Sequence, residues 1–337
     1  MQEQNHAAVY VQTNEAESNR VLALRREADG SLSELGVYPT GGAGDGKPHL
    51  TSQGSVVLTG DGSHLLVTNA GSGDVTLFAV AAEGLALIET VPTGPAPKSI
   101  AEHQGLVYVL NTGAPSLSGF RLDRRLQRIA NRELDAGADP AQVGFTPDGS
   151  MLLVTDRAAN ALVQFPVDPS GQLGEARVSS SAGPTPYGFA FAGDTLVVTE
   201  AYGAAKGKAA ASSYRIAGTG TIPVSKSIAN GRSEICWAVV TKDGRYVFTT
   251  NFADGAVSRY AVGDDGSIAL EDATAGVTDD GRPGLRDEDL SDDGKFLYAV
   301  DTGAHQIFGW AVGANGELKP IGSWANLPAT AAGLAAN

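Results

Sequence analysis

Glu200 and Arg286 are the two residues of this sequence whose type and position most suggest chemistry. Glu200 closes the apolar run of residues 195–200, and Arg286 stands where another short strand is predicted to begin. A charged side chain on an inner strand costs free energy unless it is paired or functional. Glu200 could act as a general base on water, with Arg286 or Tyr187 stabilising an oxyanion. The alternative is an ion pair that joins two parts of the fold.

These residues belong to a repeated pattern that predicts the fold. An apolar run, a turn of the Asp-Gly type and a second apolar run recur along the chain, most clearly over residues 143–156. Asp and Gly tolerate the positive φ that a tight hairpin turn needs. The polar residues that close the second run are Asn14, Asn69, Asn111, Asp156, Glu200, Asn251 and Asp301. They follow one another every 42 to 55 residues, which leaves room for four short strands per repeat.

Seven such repeats predict an all-β fold, a seven-bladed β-propeller with four-stranded blades, as a single domain over residues 1–337. The first repeat lacks its first strand, because residues 8–14 correspond to a second strand. The C-terminal residues 332–337 match the pattern of the missing one. We therefore expect blade 1 to combine residues 1–40 with residues 330–337. This arrangement closes the ring and removes an open seam.

A propeller brings the candidate residues to one rim of its central channel. The first strand of each blade starts on the face to which the second strand returns, because consecutive strands are antiparallel. Glu200 is then expected near Tyr187, with Arg286 across the mouth, and a concave mouth with convergent polar groups is the default site. The further residues expected to bind substrate there are Gln142, His49, Lys98, Trp237, Asp287, Asn251 and Asp301.

Several of these residues also have a purely structural explanation. Asn and Asp at the end of a strand often satisfy backbone groups of the following turn. This alternative applies to Asn69, Asn111, Asp156 and Asn251. Trp237 can pack between blades rather than against a ligand. Cys236 is interpreted as an inert buried thiol, because no histidine stands beside it in the sequence.

Composition narrows the classes of partner. The formal net charge of −14 argues against nucleic acid and against anionic membranes. A metal-dependent hydrolase with Glu200, Asn251 and Asp301 as oxygen ligands is a weaker hypothesis, so we expect no metal and no other cofactor. The predicted partner is a small molecule, and the predicted state is a monomer. The N-terminus shows no signal-peptide pattern, which predicts a cytoplasmic protein unless a signal has been removed from a secreted or periplasmic one.

The repeats at residues 58–69, 145–156 and 240–251 resemble those of the seven-bladed propeller lactonase family. That family includes the propeller-type bacterial 6-phosphogluconolactonases and the fungal carboxymuconate-lactonising enzymes. The likeness covers essentially the whole chain. Residues 52–56, residues 142–149 and the pair Cys236-Trp237 are most similar to an uncharacterised bacterial branch, many of whose members carry export signals.

The resemblance also implies positions for catalytic residues. Glu200 matches, within about one residue, the family's glutamate in the fifth blade, and Arg286-Asp287 matches its arginine entering the last blade. Ala141 stands where the family has a histidine, and Tyr187 where it has an arginine. The resemblance implies a lactonase-like hydrolase or a lactone-forming cycloisomerase that acts on a small polar or carboxylated substrate. The two departures favour the alternative, a non-catalytic propeller that binds a ligand or a protein.

Overall fold

The fold follows the repeat pattern closely. The structure is a computed structural model that describes residues 7–47, 50–278, 282–324 and 326–337. In these ranges the chain forms seven four-stranded antiparallel sheets and two short 3-10 helices, Tyr202–Ala204 and Phe252–Asp254. Innermost strands of consecutive sheets contact each other around a complete ring. The predicted seven-bladed β-propeller is confirmed. Across the described ranges, no helix has the length and apolar character that a bilayer-spanning helix needs.

Each blade consists of an innermost, a second, a third and an outermost strand. In that order, blade 1 contains β28 (Ala332–Ala336), β1 (Ala8–Gln12), β2 (Arg20–Arg26) and β3 (Leu32–Pro39), and blade 2 contains β4 (Val56–Leu58), β5 (His64–Asn69), β6 (Asp74–Ala81) and β7 (Gly84–Pro92). Blade 3 contains β8 (Pro97–His103), β9 (Leu106–Asn111), β10 (Ser116–Leu122) and β11 (Leu126–Glu133), and blade 4 contains β12 (Pro140–Phe145), β13 (Met151–Asp156), β14 (Ala161–Pro166) and β15 (Arg177–Ser180). Blade 5 contains β16 (Pro186–Ala192), β17 (Thr195–Glu200), β18 (Ala210–Ala217) and β19 (Gly220–Ala229). Blade 6 contains β20 (Ile235–Val240), β21 (Tyr246–Asn251), β22 (Ala256–Val262) and β23 (Ile268–Val277), and blade 7 contains β24 (Leu285–Leu290), β25 (Phe296–Asp301), β26 (Gln306–Val312) and β27 (Leu318–Trp324).

The two ends of the chain share blade 1, as the incomplete first repeat predicts. The C-terminal strand β28 is innermost and pairs antiparallel with β1, so that Val9 lies opposite Ala336. The Ala8 amide donates to Asn337 Oδ1 over 2.7 Å, and the Asn337 amide donates to Ala8 O over 3.0 Å. β28 also contacts β24 of blade 7 and β4 of blade 2. The ring is therefore closed by the C-terminal strand.

A large aromatic side chain at one repeated position holds neighbouring blades together. In six blades the third strand carries it opposite a Leu or Val of the second strand. These residues are Phe78, Phe120, Phe165, Tyr214, Tyr260 and Trp310, all almost completely buried. Burying one such side chain contributes roughly 1.5–3 kcal/mol. The repeat of about 40 to 50 residues in the sequence thus supplies one such buried aromatic side chain for each of these six blades.

Hydrogen bonds from one aspartate fix the turns of the inner hairpins. Asp148 Oδ1 accepts from Thr146 Oγ1 over 2.6 Å and from the Ser150 amide over 3.1 Å, and Gly149 has a φ of +71°. The same bonding recurs around Asp61 and Asp243, and it lowers the pKa of each carboxyl to about 2. The Asp-Gly signal therefore marks true tight turns, and these lie at one end of the central channel.

Candidate functional site

The polar residues that end the second strands are buried beneath the turns that follow them. Their exposed fractions lie between 0 and 6 %. Asn69 Nδ2 donates to Asp74 Oδ1 over 2.6 Å, and Asn251 Nδ2 donates to Ser258 Oγ over 2.9 Å. Asp301 Oδ1 accepts from the amide of Ala304 over 2.8 Å. The turn explanation is therefore correct for Asp156, whose Oδ1 accepts from the amides of Ala158 and Ala159, and for Asn251, whose Nδ2 also donates to Ala256 O over 3.0 Å. Asn69 and Asn111 instead bond to side chains of the third strands. Asn251 and Asp301, expected to bind substrate, have no exposed surface through which to do so.

The residues that face the mouth come one position later in the chain. The amides of Arg157, Ala201 and Phe252 each donate to the residue preceding the innermost strand of their blade, over 2.9–3.0 Å. Side chains alternate between opposite sides of a strand, so a shift of one residue reverses the direction. The expected placement of the strand-ending residues at the mouth was wrong by this one residue.

Glu200 illustrates the consequence of that shift. Its Oε1 accepts from the Gly183 amide over 2.8 Å and from Ser212 Oγ over 2.5 Å, and its Oε2 accepts from Ser227 Oγ over 2.7 Å. Ser212 and Ser227 lie on the third and outermost strands of blade 5, and Gly183 lies in the connection that leads from blade 4 to blade 5. Burial raises the pKa of the carboxyl, although the three donors oppose that rise. The expected position of Glu200 at the mouth is wrong, since Ala201 lies there instead.

An aromatic cluster forms the centre of the mouth. The rings of Tyr187 and Trp237 lie 4.9 Å apart, and both pack with Ala141, Ala201 and Cys236. Trp237 is almost fully buried, which agrees with core packing. Burial raises the pKa of the Cys236 thiol to about 12, which agrees with an inert thiol. We call this end of the channel the Tyr187 face.

Two guanidinium groups, one from blade 4 and one from blade 7, lie near Tyr187 of blade 5. Arg157 of blade 4 lies over the Tyr187 ring at 4.9 Å, and its Nη2 pairs with Asp139 Oδ1 at 2.5 Å. Arg286 of blade 7 is 8 % exposed and lies over the ring of Phe252 at 4.2 Å. Both arginines favour the ionised form of Tyr187, but burial dominates and raises its pKa above the ordinary value. The sequence interpretation missed Arg157, although it directly follows the strand-ending Asp156.

Lys98 adds a third cation to the Tyr187 face. It is partly exposed, and burial is the main cause that lowers the pKa of its ammonium. Lys47 and Arg157 lower it further, while Asp45 and Asp139 oppose them. The face therefore combines three basic groups with the carboxylates of Asp45 and Asp139, and a bound anion would further stabilise the charged form of Lys98. His49, also expected at this mouth, lies outside the described residues.

A short segment crosses the channel beneath the Tyr187 face. Ser52 Oγ donates to Ala141 O of blade 4, and Gln53 exchanges two hydrogen bonds with the backbone of Ala238 in blade 6, at 2.9 and 3.1 Å. Gln53 precedes blade 2, and blades 2 and 6 are three positions apart, the largest separation in a ring of seven. The segment must therefore span the channel axis. It separates the Tyr187 face from the rest of the channel.

Below this segment the channel contains a cavity of about 460 Å³ that extends to the hairpin turns. Gln53 and Gln142 lie at its inner end, and Gln142 is held there by two hydrogen bonds with the backbone of Phe189, at 2.7 and 3.1 Å. One wall is the acidic run Asp287, Glu288 and Asp289 of β24. Asp287 and Gln142, expected to bind substrate at the mouth, thus lie in this second compartment.

Stability is expected to fall as pH rises because of this acidic wall. Burial raises the pKa of Asp287 to about 6 and that of Asp289 to about 7. The folded state then binds more protons than the unfolded state between about pH 4 and pH 7. The turn aspartates, with pKa values of about 2, act only below about pH 4. Urea unfolding should therefore give a larger free energy at pH 5 than at pH 8.

Asp289→Asn supplies the control for this pH dependence. The variant should show a smaller decrease in the free energy of unfolding between pH 5 and pH 8, because its amide does not titrate. A free energy that is larger at pH 8 than at pH 5 would contradict the assignment.

A family model described as "Lactonase, 7-bladed beta-propeller" matches residues 2–136, 118–201 and 199–332. These matches together cover nearly the whole chain. The chain belongs to this family. The sequence prediction of a propeller lactonase relative is confirmed. A search of curated proteins finds no match to this lactonase-family propeller.

Solved structures share the fold of this lactonase-family propeller at low identity. The periplasmic gluconolactonase PpgL of Pseudomonas aeruginosa is 18 % identical, with 98 % of each chain covered and a TM-score of 0.78. A Lactobacillus plantarum protein is 15 % identical, with 98 % of this chain and 99 % of that one covered and a TM-score of 0.78. A Bacteroides fragilis protein provisionally assigned as a 6-phosphogluconolactonase is 17 % identical, with 100 % and 99 % covered and a TM-score of 0.73. At these identities the likeness concerns the fold alone.

The side chains considered as metal ligands do not come together in this lactonase-family propeller. No three His, Cys, Asp or Glu side chains are grouped to hold a metal ion within the residues that the structure describes. Glu200, Asn251 and Asp301, considered as oxygen ligands, belong to three different blades and contact their own turns or outer strands. Of the two family residues that the sequence retains, Glu200 and Arg286, Arg286 is the one whose side chain lies near Tyr187.

Proposed function

We propose that this lactonase-family propeller binds and hydrolyses a small lactone that carries an anionic group, and that it does so at the Tyr187 face. The observation that carries this proposal is that the guanidinium groups of Arg157 and Arg286 both lie close enough to Tyr187 to act on its pKa, with Arg157 stacked over its ring. Guanidinium groups recognise carboxylate and phosphate through paired hydrogen bonds. The family supports the lactone class, and the two arginines support the anionic group.

The charges at the two ends of the channel also favour binding of an anionic lactone at the Tyr187 face. The Tyr187 face has Lys98, Arg157 and Arg286, whereas the opposite cavity has the acidic wall of β24. The basic groups would raise the concentration of an anion at the Tyr187 face, whereas the wall of β24 offers it no cation. An apolar ring edge would rest on the accessible edge of Tyr187, behind which Trp237 is buried.

Glu234 is the carboxylate that best suits the role of general base in this proposal. It precedes β20 at the rim and is partly exposed. Burial lowers the pKa of the Arg286 guanidinium, and the charge of Glu234 is among those that oppose this decrease. Among the described residues it forms no ion pair, in contrast with Asp139, which is paired with Arg157. Glu200 lacks access to the mouth because its oxygens face the outer strands.

The proposed hydrolysis is a single addition and elimination at the lactone carbonyl. Water attacks the carbonyl carbon while Glu234 accepts the water proton, and Arg286 stabilises the oxyanion. The ring C–O bond then breaks, and the proton on Glu234 passes to the departing ring oxygen. The product is the open hydroxy acid, and the carboxylate of Glu234 is regenerated.

A lactone panel tests this proposal. Neutral, carboxylated and phosphorylated five- and six-membered lactones would be offered to the wild-type protein, with hydrolysis followed by acid release and binding by thermal shift. We expect turnover of anionic lactones at a kcat/KM at least about tenfold above that of uncharged analogues, which corresponds to about 1.4 kcal/mol. Turnover of neutral lactones alone, or no binding of any anionic lactone, would refute the proposal.

A non-catalytic ligand-binding propeller is the second candidate. The observation in its favour is that alanines, Ala141 and Ala201, occupy two positions of the mouth where acid–base groups would be useful. In the same panel this candidate predicts a thermal shift with anionic lactones or hydroxy acids and no acid release. In either case we propose a small-molecule partner and a monomeric protein.

A further inference from the structure

Arg286 is a buried cation without a carboxylate partner. The residue is only 8 % exposed, and across the residues that the structure describes no carboxylate lies within ion-pair distance of its guanidinium. The neighbouring Asp287 bonds instead to the amide of Gly333 in blade 1. A long side chain that ends in a buried charge has many rotamers and needs other contacts to hold it. The neutral groups around Arg286 therefore decide where its guanidinium points.

Two neutral side chains hold the guanidinium of Arg286. Its Nε donates to Thr302 Oγ1 over 2.9 Å, and its central carbon lies 4.2 Å from the centre of the Phe252 ring. Arginine stacks favourably on aromatic rings. Nη1 and Nη2 have no hydrogen-bond partner among the described residues, and neither atom is completely buried. The end of the guanidinium that carries these two nitrogens is therefore the part that remains for a ligand.

Backbone hydrogen bonds connect the two supporting residues with each other and with Glu234. Thr302 donates to Gly284 O through its amide, over 2.9 Å, and through Oγ1, over 3.2 Å. The Gly284 amide donates to Phe252 O over 3.0 Å, and the Phe252 amide donates to Glu234 O over 2.9 Å. This chain of bonds runs through blades 6 and 7. It joins the support of Arg286 to the residue proposed as general base.

Blade 3 contains the same arrangement without the bond to a cation. Thr112 donates to Ala96 O through its amide, over 3.0 Å, and through Oγ1, over 3.1 Å, as Thr302 does to Gly284 O. Lys98 stands where blade 7 has Arg286, and it forms no hydrogen bond among the described residues. The backbone bonds of such a threonine are thus a feature of the blade, whereas the bond accepted from Arg286 Nε is particular to Thr302.

We propose that Thr302 and Phe252 are positioning residues, which hold Arg286 so that its two Nη groups point towards the substrate anion. This inference rests on the proposed function. With Nε bonded and one side of the guanidinium plane covered, its end can still form the paired hydrogen bonds that carboxylate and phosphate accept. A side chain that is ordered in advance lowers the entropic cost of binding. Thr302 and Phe252 thus act through Arg286.

Thr302→Val tests this role, with Thr112→Val as the matched control. The probes are 6-phosphogluconolactone beside gluconolactone, and a carboxylated γ-lactone beside its amide. Thr302→Val should raise KM for the anionic lactones about two- to tenfold, with little change in kcat, because the substrate must then order Arg286 itself. KM for the uncharged lactones should stay within about twofold. Thr112→Val loses the same backbone bond and should keep the wild-type values for all four probes.

Two further variants separate positioning from loss of structure. Thr302→Ser keeps the hydroxyl and should restore the wild-type KM. Phe252→Leu removes the ring but keeps the backbone bonds, and it should raise KM for the anionic lactones as Thr302→Val does. Phe252→Leu decides the question if Thr302→Val does not fold. Urea unfolding of each preparation shows that the compared proteins are folded.

The outcomes distinguish this inference from the proposed function. If the wild type prefers anionic lactones and both Thr302→Val and Phe252→Leu keep that preference, the positioning role is refuted and the proposed function stands. Equal losses in Thr302→Val and Thr112→Val would also refute it. If the wild type turns over no lactone, the proposed hydrolysis fails, and calorimetry with 6-phosphogluconate on the same variants decides the positioning role. No binding of 6-phosphogluconate to the wild type would then overturn both.

Discussion

Removal of residues 332–337 is expected to abolish cooperative folding of the whole propeller. These residues form β28, the innermost strand of blade 1, which is buried along its full length. Its loss breaks the ladder with β1, exposes the faces of β24 and β4, and removes the amide partners of Asp287 and Asp289. We expect a loss of roughly 5–10 kcal/mol, which is comparable with the whole stability of a typical domain.

Circular dichroism melting and urea unfolding measure this effect, and a peptide supplies the control. A synthetic peptide of residues 326–337, added in excess, should restore a cooperative transition, because the vacant position accepts an extended strand. A truncated protein that melts cooperatively within a few degrees of the wild type, without the peptide, would show that the ring does not depend on β28.

The second large effect concerns two glutamates whose roles we expect to differ. Glu234→Gln should lower kcat on an anionic lactone about 10²–10⁴-fold with little change in Tm, because it removes a general base from a partly exposed position. Glu200→Ala should lower the free energy of unfolding by roughly 2–4 kcal/mol, because it leaves Ser212, Ser227 and the Gly183 amide without their acceptor. Activity per folded molecule should persist in Glu200→Ala.

Initial rates and urea unfolding on the same preparations separate these effects. Glu200→Gln is the conservative companion, since it keeps the volume and one acceptor while placing an amide beside three donors. If Glu200→Gln loses turnover at unchanged stability while Glu234→Gln remains active, the general base is Glu200 after all, and the proposed placement of the chemistry fails.

The sequence was sufficient to predict the architecture because the repeat pattern and its cores have the same period. Asp-Gly turns, apolar runs and the incomplete first repeat led to seven blades and to a ring closed by the C-terminal strand, as observed. The burial of Cys236 and of Trp237 also followed from general expectations about such side chains.

The site was harder to predict because its residues depend on strand register and on contacts between distant blades. A shift of one residue moved Glu200 from the mouth to the outer strands and brought Arg157 to Tyr187. The crossing of the channel by Gln53 joins residues 185 positions apart, and no local pattern signals such a contact. The acidic run of β24 was visible in the sequence, but its position along the channel cavity required the ring to be assembled.

The ratio of kcat/KM for an anionic lactone to that for its uncharged analogue, measured for the wild type and Arg286→Met, tests the central claim most directly. Arg245→Met is the matched control, since Arg245 pairs with Asp243 at a hairpin turn of the opposite face. The account predicts a strong preference for the anionic lactone in the wild type and Arg245→Met, and a loss of most of that preference in Arg286→Met. An unchanged preference in Arg286→Met would contradict binding of the anionic group at the Tyr187 face.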